Sequence, residues 1–200
     1  MNKIPSTTTT LLGLLALAAT TFTASMAVAE EPSLKGWSRT PAREYKSGID
    51  PEMQRDGKPS AFMESMPGKK LEFGTLSKFF KAEDYVGKRV QFKGFIKTRD
   101  VSGTGAGLWL RIDSADMKPL GFDNMAERSL KGTTDWTEVS VVLDVPANAD
   151  GIAMGVLLAG TGRYWVNGLT FGVVDKSVPV TAATNTYVLP KGPGKLDFTE

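Results

Sequence analysis

The chain has 200 residues, with 24 basic and 22 acidic side chains and no histidine or cysteine. Their absence excludes Ser-His-Asp and Cys-His nucleophiles, His/Cys zinc sites, haem, iron–sulfur clusters and disulfides. A formal charge of +2 does not indicate nucleic acid or a membrane surface as a partner. What remains is carboxylate, lysine, tyrosine or hydroxyl chemistry, metal binding through oxygen, or binding without catalysis.

The first 29 residues have the order of a secretory signal peptide. Lys3 precedes an apolar run at 11–19, and a stretch of small residues ends with Ala27-Val28-Ala29. The apolar run is too short to span a bilayer, and without a cysteine after it a lipoprotein anchor is excluded. We expect cleavage after Ala29 and a periplasmic or secreted protein without a membrane anchor; an uncleaved segment is the alternative.

Residues 30–56 contain proline and glycine at short intervals, which breaks any periodicity. This composition predicts an irregular segment with turns. Trp37 and Tyr45 are its candidate anchors to the rest of the domain.

From residue 60 onward the sequence alternates apolar and polar positions with period two, which predicts strands with one face on a core. The clearest runs lie at 137–145, 89–98, 108–113, 152–159 and 165–173. In the last run, Trp165, Leu169, Phe171 and Val173 are expected on one side. Weaker strand candidates are 60–64, 71–80 and 120–124.

Glycine-rich turns separate these runs. We expect a turn at Ser102-Gly103-Thr104-Gly105, in a flexible hairpin loop that extends to Gly107, and a tight hairpin at Gly160-Thr161-Gly162. About eight short antiparallel strands without a long helix predict an all-β fold, an antiparallel β-sandwich or jelly roll. Residues 175–200 form a C-terminal extension, with an edge strand at 195–199 or a disordered tail as equal alternatives.

Several motifs together resemble a bacterial galactose-binding-like domain. The resemblance covers residues 57–174 and is specific only as a whole. Its motifs are Tyr85-Val86-Gly87-Lys88-Arg89-Val90, Gly107-Leu108-Trp109-Leu110-Arg111-Ile112-Asp113, Phe122-Asp123-Asn124-Met125, Thr133-Thr134-Asp135-Trp136 and Gly160-Thr161-Gly162-Arg163-Tyr164-Trp165-Val166-Asn167. Such domains are poorly characterised, are sometimes attached to transcription regulators, and are distantly similar to carbohydrate-binding modules. The resemblance implies a jelly roll of two antiparallel sheets and binding rather than catalysis.

The sequence departs from this family in two places. The usual N-terminal strand, similar to Asn-Leu-Asp-Phe-Glu, is missing, and its best match is Leu196-Asp197-Phe198-Thr199-Glu200. The family's Trp-x-Asp, which often contributes to a structural calcium site, is Trp165-Val166-Asn167 here. Asn can coordinate calcium through its carbonyl oxygen but lacks the charge that favours it. No cofactor is expected, and a structural calcium stays an open alternative.

The non-core face of the central strands offers the best candidate ligand site. Alternation places Trp109, Arg111 and Asp113 on one face and Phe95 outward on a neighbouring strand, as in a face that stacks a sugar ring and binds its hydroxyls. The alternative is that a loop at 114–135 covers Trp109. The full set of candidate ligand-binding residues is Phe95, Trp109, Arg111, Asp113, Asp123, Asn124, Asp135 and Trp136. The last four are equally good turn formers or caps.

Catalysis has little support in the sequence. Glycoside hydrolysis needs two acids at a set separation, and the spacing of Asp113, Asp123, Asp135 and Glu138 indicates no such pair. Gly103-Thr104-Gly105-Ala106-Gly107 lacks the third glycine and the following helix of a dinucleotide fingerprint. We expect a non-enzymatic binding module for a saccharide or small polar ligand of the cell envelope. A structural or protein-interaction domain of the envelope, its protein partner unknown, is the alternative.

Overall fold

The computed structural model describes residues 34–40, 44–68 and 72–181. Its strands are β1 Ser38–Thr40, β2 Tyr45–Arg55, β3 Lys58–Ser65, β4 Gly74–Lys81, β5 Arg89–Ser114, β6 Pro119–Asp123, β7 Leu130–Asp144, β8 Ala149–Ala159 and β9 Arg163–Val174. The helices in these ranges are two three-residue 3-10 turns, Glu83–Tyr85 and Ala126–Arg128. The predicted all-β antiparallel class is confirmed. No helix in the described ranges is long and apolar enough to cross a membrane.

The 26-residue strand β5 organises the fold because it belongs to both sheets. Its first part, 89–99, pairs with β9 and β7, and its second part, 105–114, pairs with β8 and β6. The first sheet therefore has the order β2-β3-β9-β5-β7. The second has the order β1-β4-β8-β5-β6, and all pairings are antiparallel.

The tight hairpin predicted at 160–162 is wrong. The strands β8 and β9 both run antiparallel to β5, one after the other along it, so the chain bends at these residues without reversing. Gly160 has φ +124°, and a Cβ there would lie 2.1 Å from the Ser102 carbonyl oxygen. The segment expected to form a loop at 102–105 lies opposite, inside β5. Glycine at 160 lets the backbone bend in close contact with the backbone of β5. The sequence alone does not distinguish this role of glycine from a turn.

The core lies between the two sheets, where the predicted alternation is confirmed for most strands. Leu108, Leu110 and Ile112 of β5 are fully buried, as are Val141 of β7 and Val156 of β8. Period-two alternation from both sheets thus supplies one continuous apolar interior.

The alternation predicts Trp165 on the same face as Leu169 and Phe171, but in the structure it lies on the opposite face. A β-bulge between Asn167 and Thr170 shifts the register of β9 against β5, with Gly168 at φ +63°. A bulge inserts an unpaired residue, so side chains after it change face. Tyr164 and Val166 enter the core, and Trp165 lies on the outer face, opposite Lys97.

The segment expected to be irregular contains regular structure. Residues 45–55 form β2, which pairs with β3 despite Pro51 and Gly48. A register shift between 50 and 54 accommodates the interruption, consistent with an edge strand. Tyr45 is fully buried and Trp37 packs against the core, so both candidate anchors are confirmed. The expected signal segment at 1–29 and edge strand at 195–199 lie outside the described residues.

The chain after β9 folds back against β7. The Thr181 backbone N–H donates to the Val142 carbonyl at 3.0 Å, and the Val142 N–H donates to Thr181 Oγ1 at 2.7 Å. Arg89 also donates to the carbonyls of Lys176 and Val178. Val141 and Leu143 of β7 point into the core, so Val142 points outward. It is nevertheless buried because the returning chain at Thr181 covers it.

Candidate functional site

The outer face of the second sheet carries a row of residues across four strands. Phe79 of β4 pairs with Ala153 of β8, which pairs with Arg111 of β5, which pairs with Phe122 of β6. Directly paired residues point to the same face. Phe79 and Phe122, at the two ends of the row, are 62% and 49% exposed. Because Ala153 within the row has a small side chain, the surface is recessed there between the two rings.

Trp109 lies in the next row and is held in a defined orientation. Its partner on β8 is Gly155, where a Cβ would lie 2.5 Å from the indole Nε1. Because Gly155 has no side chain, the indole lies against β8 and its N–H donates to Thr75 Oγ1 at 2.7 Å. The indole is half-buried, so the 114–135 segment does not enclose it.

A cavity of about 440 Å³ lies over Trp109, within the size range of roughly 300–1,000 Å³ common for small-molecule sites. We call it the Trp109 groove. It is lined by three aromatic rings, six polar side chains and two aliphatic residues: Glu72, Phe73, Thr75, Thr104, Trp109, Arg111, Phe122, Asn124, Ser129, Leu157 and Ala159. Rings beside hydroxyl, amide and charged groups can stack a sugar and bind its hydroxyls.

The polar groups of the groove are positioned by local contacts. Arg111 Nε donates to Asp113 Oδ2 at 3.0 Å, two residues along the same face of β5. Asn124 Oδ1 accepts from the Ala126 N–H at 3.2 Å. This bond fixes the amide at the start of a 3-10 turn and leaves its NH₂ group available to a ligand.

Of the eight residues proposed from sequence, the structure brings Trp109, Arg111 and Asn124 together in the groove. Asp113 lies beside it, next to Arg111. Asp123 is buried and pairs with Arg128 at 2.6 Å, and it also accepts from Thr181 Oγ1. Its position under the docked 181 segment gives Asp123 a structural role.

The remaining three residues lie on the first sheet, away from the groove. Phe95 is covered by the Arg55 guanidinium, whose Cζ is 3.4 Å from the ring centroid. Asp135 Oδ1 accepts from Lys97 Nζ at 2.8 Å and from the Trp136 N–H. The Lys97 ammonium therefore lowers the Asp135 pKa. The two parts of β5 enter different sheets, which is why residues 95 and 109 do not form one surface.

The outer face of the first sheet has its own aromatic and charged group, which we call the Asp50 cluster. Asp50 Oδ2 accepts from Trp165 Nε1 and from Arg163 NH2, both at 2.8 Å. Arg163 covers the rings of Phe62 and Trp165, with Cζ 4.1 and 4.6 Å from their centroids, and Glu64 lies 3.5 Å from its NH1. The Trp165 hydrogen bond, with smaller contributions from backbone N–H groups and Arg163, lowers the Asp50 pKa.

The acids considered for hydrolysis do not pair with one another. Asp113, Asp123 and Asp135 contact Arg111, Arg128 and Lys97 respectively, and Glu138 lies 3.7 Å from Lys93. This geometry differs from two facing carboxylates, one of which must have a raised pKa.

At the position where a structural calcium is an open alternative, the Asn167 amide is engaged in hydrogen bonds to β3. Asn167 uses its NH₂ group to hold the start of β3, donating to the carbonyls of Lys58 and Pro59 and to Ser60 Oγ. Within the described ranges no three acidic side chains come together as a metal-binding group. Calcium prefers such clustered carboxylate oxygens.

Four residues of this face were not among the sequence candidates: Phe73, Thr75, Phe79 and Phe122. For Phe79, the sequence does contain evidence of an outward-facing ring. Phe79 and Phe80 are adjacent on a strand, so one of the two rings had to face outward. The Thr75 hydroxyl had no comparable indication, because its strand β4 and the strand β5 of its partner Trp109 are consecutive in sequence but are separated in the sheet by β8.

Comparison with known proteins agrees with this architecture. No family model matches the chain. It is similar to the tandem of two family 22 carbohydrate-binding modules from Paenibacillus barcinonensis Xyn10C, with a TM-score of 0.52 and 15% identity over 83% of this chain and 46% of that one. The chain has the β-jelly-roll fold of carbohydrate-binding modules. It is likewise similar to the enzymatically active domain of tailspike protein 4 of bacteriophage CBA120, with a TM-score of 0.52 and 11% identity over 72% of this chain and 20% of that one.

A relative by sequence comes from Bacillus subtilis (strain 168). The chain is 40% identical over 173 residues to the uncharacterized HTH-type transcriptional regulator YbfP. The match covers 85% of this chain and 58% of that protein, so the chain spans less than two thirds of its length. The expectation of a galactose-binding-like jelly roll is confirmed as a fold.

Proposed function

We propose that this chain is a non-catalytic binding module and that the Trp109 groove binds a saccharide. The observation that carries the proposal is the indole of Trp109, which Gly155 and Thr75 hold in place in a cavity that the exposed rings of Phe73 and Phe122 also line. A fixed ring with polar neighbours binds a pyranose at little cost in side-chain entropy. The family 22 modules, named for carbohydrate binding, support the proposal by their fold.

The test is a glycan array followed by calorimetric titration of the oligosaccharides that bind. Trp109→Ala should lower affinity about tenfold or more, as truncation of a central aromatic contact commonly does. Phe122→Ala, on the exposed rim, should weaken binding without affecting the core. Trp136→Ala on the other sheet is the matched control and should leave affinity unchanged. Binding that depends on Trp136 and not on Trp109 would contradict the proposed site.

A protein-interaction role is the second candidate, and one observation favours it. Phe73, Phe79, Met117 and Phe122 are all exposed large apolar side chains and line cavities on the second sheet. Apolar groups gathered on one face commonly mark an interaction site. If the array shows no glycan binding while Phe79→Ala and Phe122→Ala abolish capture of a specific envelope protein, this second function replaces the first.

The relative's name suggests a place for such a module in regulation. The described residues contain no α-helix, so they do not include a helix-turn-helix element. We infer that the region shared with the B. subtilis regulator is a ligand-binding part rather than the DNA-binding part. A gel-shift assay with this chain should show no DNA binding at physiological salt.

Export of the chain is a further part of the proposal, supported by the order of residues at 1–29. N-terminal sequencing of the protein recovered from the periplasm or medium should begin at Glu30. Recovery of the full-length chain in the cytoplasmic fraction would overturn it.

A further inference from the structure

A second cavity opens on the same outer face, at the other end of the Arg111 row. It has a volume of about 300 Å³. Its floor includes Gly151 and Ala153 of β8, and its walls include Phe79 and Met117. Arg111 lines the Trp109 groove and Asp113 lines this second cavity, so the pair joins the two cavities.

Asp113 has an unmet hydrogen-bonding capacity at this position. Its side chain is only 5% exposed, and Arg111 Nε–H is directed at Oδ2. Oδ1 makes an ion-pair contact with the same nitrogen at 2.9 Å but has no hydrogen-bond donor of its own within the described part of the chain. A buried carboxylate oxygen without a donor is unfavourable, and a hydroxyl group that reached it would relieve that cost.

Met117, on the wall of this cavity, is the side chain that can adapt its shape to a ligand. Met117 lines the cavity and is 68% exposed. Methionine is unbranched and has three rotatable bonds, so it adapts readily to a ligand. The rigid part of the cavity is its floor, which the backbone pairing of β8 with β4 and β5 fixes.

The charges around this cavity are balanced by pairs. Arg111 pairs with Asp113, Lys81 with Asp150 at 3.0 Å, and Lys118 with Asp116 at 2.6 Å. The described side chains around the cavity therefore carry no net charge that would attract a cation or an anion. The free lone pairs of Asp113 Oδ1 would repel a carboxylate and accept a hydroxyl proton.

We propose that the second cavity is a subsite for a neutral, hydroxyl-bearing sugar ring. An extended neutral oligosaccharide then crosses the Arg111–Asp113 pair, with one part over Trp109 and another over Ala153 between Phe79 and Met117. Uronic-acid chains are rejected at Asp113. This inference rests on the proposed function of the Trp109 groove and specifies its ligand class.

Chain-length dependence tests the extent of the site. The probes are cello-, xylo- and chito-oligosaccharides of two and six units, titrated against the full chain. Phe79→Ala should lower affinity for the bound hexasaccharide several-fold and leave the disaccharide unchanged, because a disaccharide fills the Trp109 groove alone. Val173→Ala, at another exposed apolar position, on the first sheet, is the matched control and should change neither.

Charge selectivity tests the role of Asp113. Asp113→Asn keeps the shape and removes the charge. It should lower affinity for the neutral hexasaccharide about tenfold, as expected for a hydrogen bond to a charged group, and should raise affinity for hexagalacturonate relative to the native chain. A thermal melt confirms folding, and the exposed Phe79→Ala variant carries the test if Asp113→Asn unfolds.

The outcomes separate this inference from the proposed function. If no probe binds the native chain, both fail. If binding depends on Trp109 while Phe79→Ala and Asp113→Asn have no effect, only the second subsite is overturned. A native chain that prefers hexagalacturonate to the neutral hexasaccharides also overturns it.

Discussion

On the outer face of the first sheet, guanidinium groups lie over aromatic rings, whereas on the second sheet the rings are open. Arg163 covers Phe62 and Trp165, and Arg55 covers Phe95. On the second sheet, Arg111 is directed at Asp113 and leaves Trp109 and Phe122 lining a cavity. Both faces combine arginine, acid and aromatic residues, so composition alone does not mark a binding site.

What separates the faces is where the carboxylates lie relative to the rings. Asp50 accepts from Trp165 Nε1 and from Arg163 together, which holds the cation over the aromatic group. Trp109 donates instead to the neutral Thr75 hydroxyl, and among the described residues no guanidinium or ammonium group lies over its ring. The first arrangement closes a face and stabilises the fold, and the second leaves a ring available to a ligand.

The largest expected effect comes from breaking the closed face. Asp50→Ala leaves the indole N–H and the Arg163 guanidinium without their acceptor, and we expect a loss of about 2–3 kcal/mol in the free energy of unfolding. Glycan affinity at the Trp109 groove should not change. Urea denaturation measures the loss, and Glu138→Ala, which removes an exposed partner of Lys93 on the same sheet, is the control with little effect.

The closed face should also make stability sensitive to acid. The Asp50 pKa is lowered in the folded chain, so the folded state binds fewer protons than the unfolded state, whose Asp pKa is about 3.9. The contribution is full above about pH 5 and is lost as pH falls through the lowered folded pKa. In denaturation curves between pH 7 and pH 2, Asp50→Asn should lose less stability on acidification than the native chain. Equal losses would contradict this role.

On the open face, Thr75→Val tests whether a neutral hydroxyl sets the orientation of the indole. The variant keeps the side-chain shape but leaves Trp109 Nε1 without an acceptor, which should cost about 1 kcal/mol of stability. A freer indole should also weaken glycan binding several-fold, since the ring must be ordered on binding. Ser77→Ala, a buried neighbour on β4, should leave affinity unchanged. An unaltered affinity in Thr75→Val would show that the indole is held by packing on Gly155 alone.

The sequence was informative where period-two alternation is uninterrupted. Alternation predicts Leu108, Leu110 and Ile112 in the core, and they are buried. It also predicts Trp109 and Arg111 on the outer face, where both line the groove. The alternation pattern gives wrong faces or turns where a bulge or a bend interrupts a strand. The bulge after Asn167 moved Trp165 to the opposite face, and Gly160 bends two paired strands rather than closing a hairpin. Neither a bulge nor a close backbone contact can be told from an ordinary turn by composition.

The same irregularity explains why three of the eight candidate site residues, Phe95, Asp135 and Trp136, lie on the other sheet. Phe95 and Trp109 both occupy outward-facing positions of the alternating pattern, which predicts that they share one surface. The glycine-rich segment between them carries the strand from the first sheet into the second, so the two rings belong to separate outer faces. Assigning residues to one face required knowing that the two predicted strands are a single bent strand.

The smallest expected effect tests that separation directly. Asp135→Asn removes the charge that pairs with Lys97, but the Asp135 side chain is largely exposed, and exposed ion pairs contribute little to stability. We expect no measurable change in the free energy of unfolding, because solvent screens the pair. Glycan affinity should also stay at the native value, because Asp135 lies on the first sheet while the Trp109 groove lies on the second. If Asp135→Asn weakened glycan binding as Trp109→Ala does, ligand contacts would have to extend to both faces.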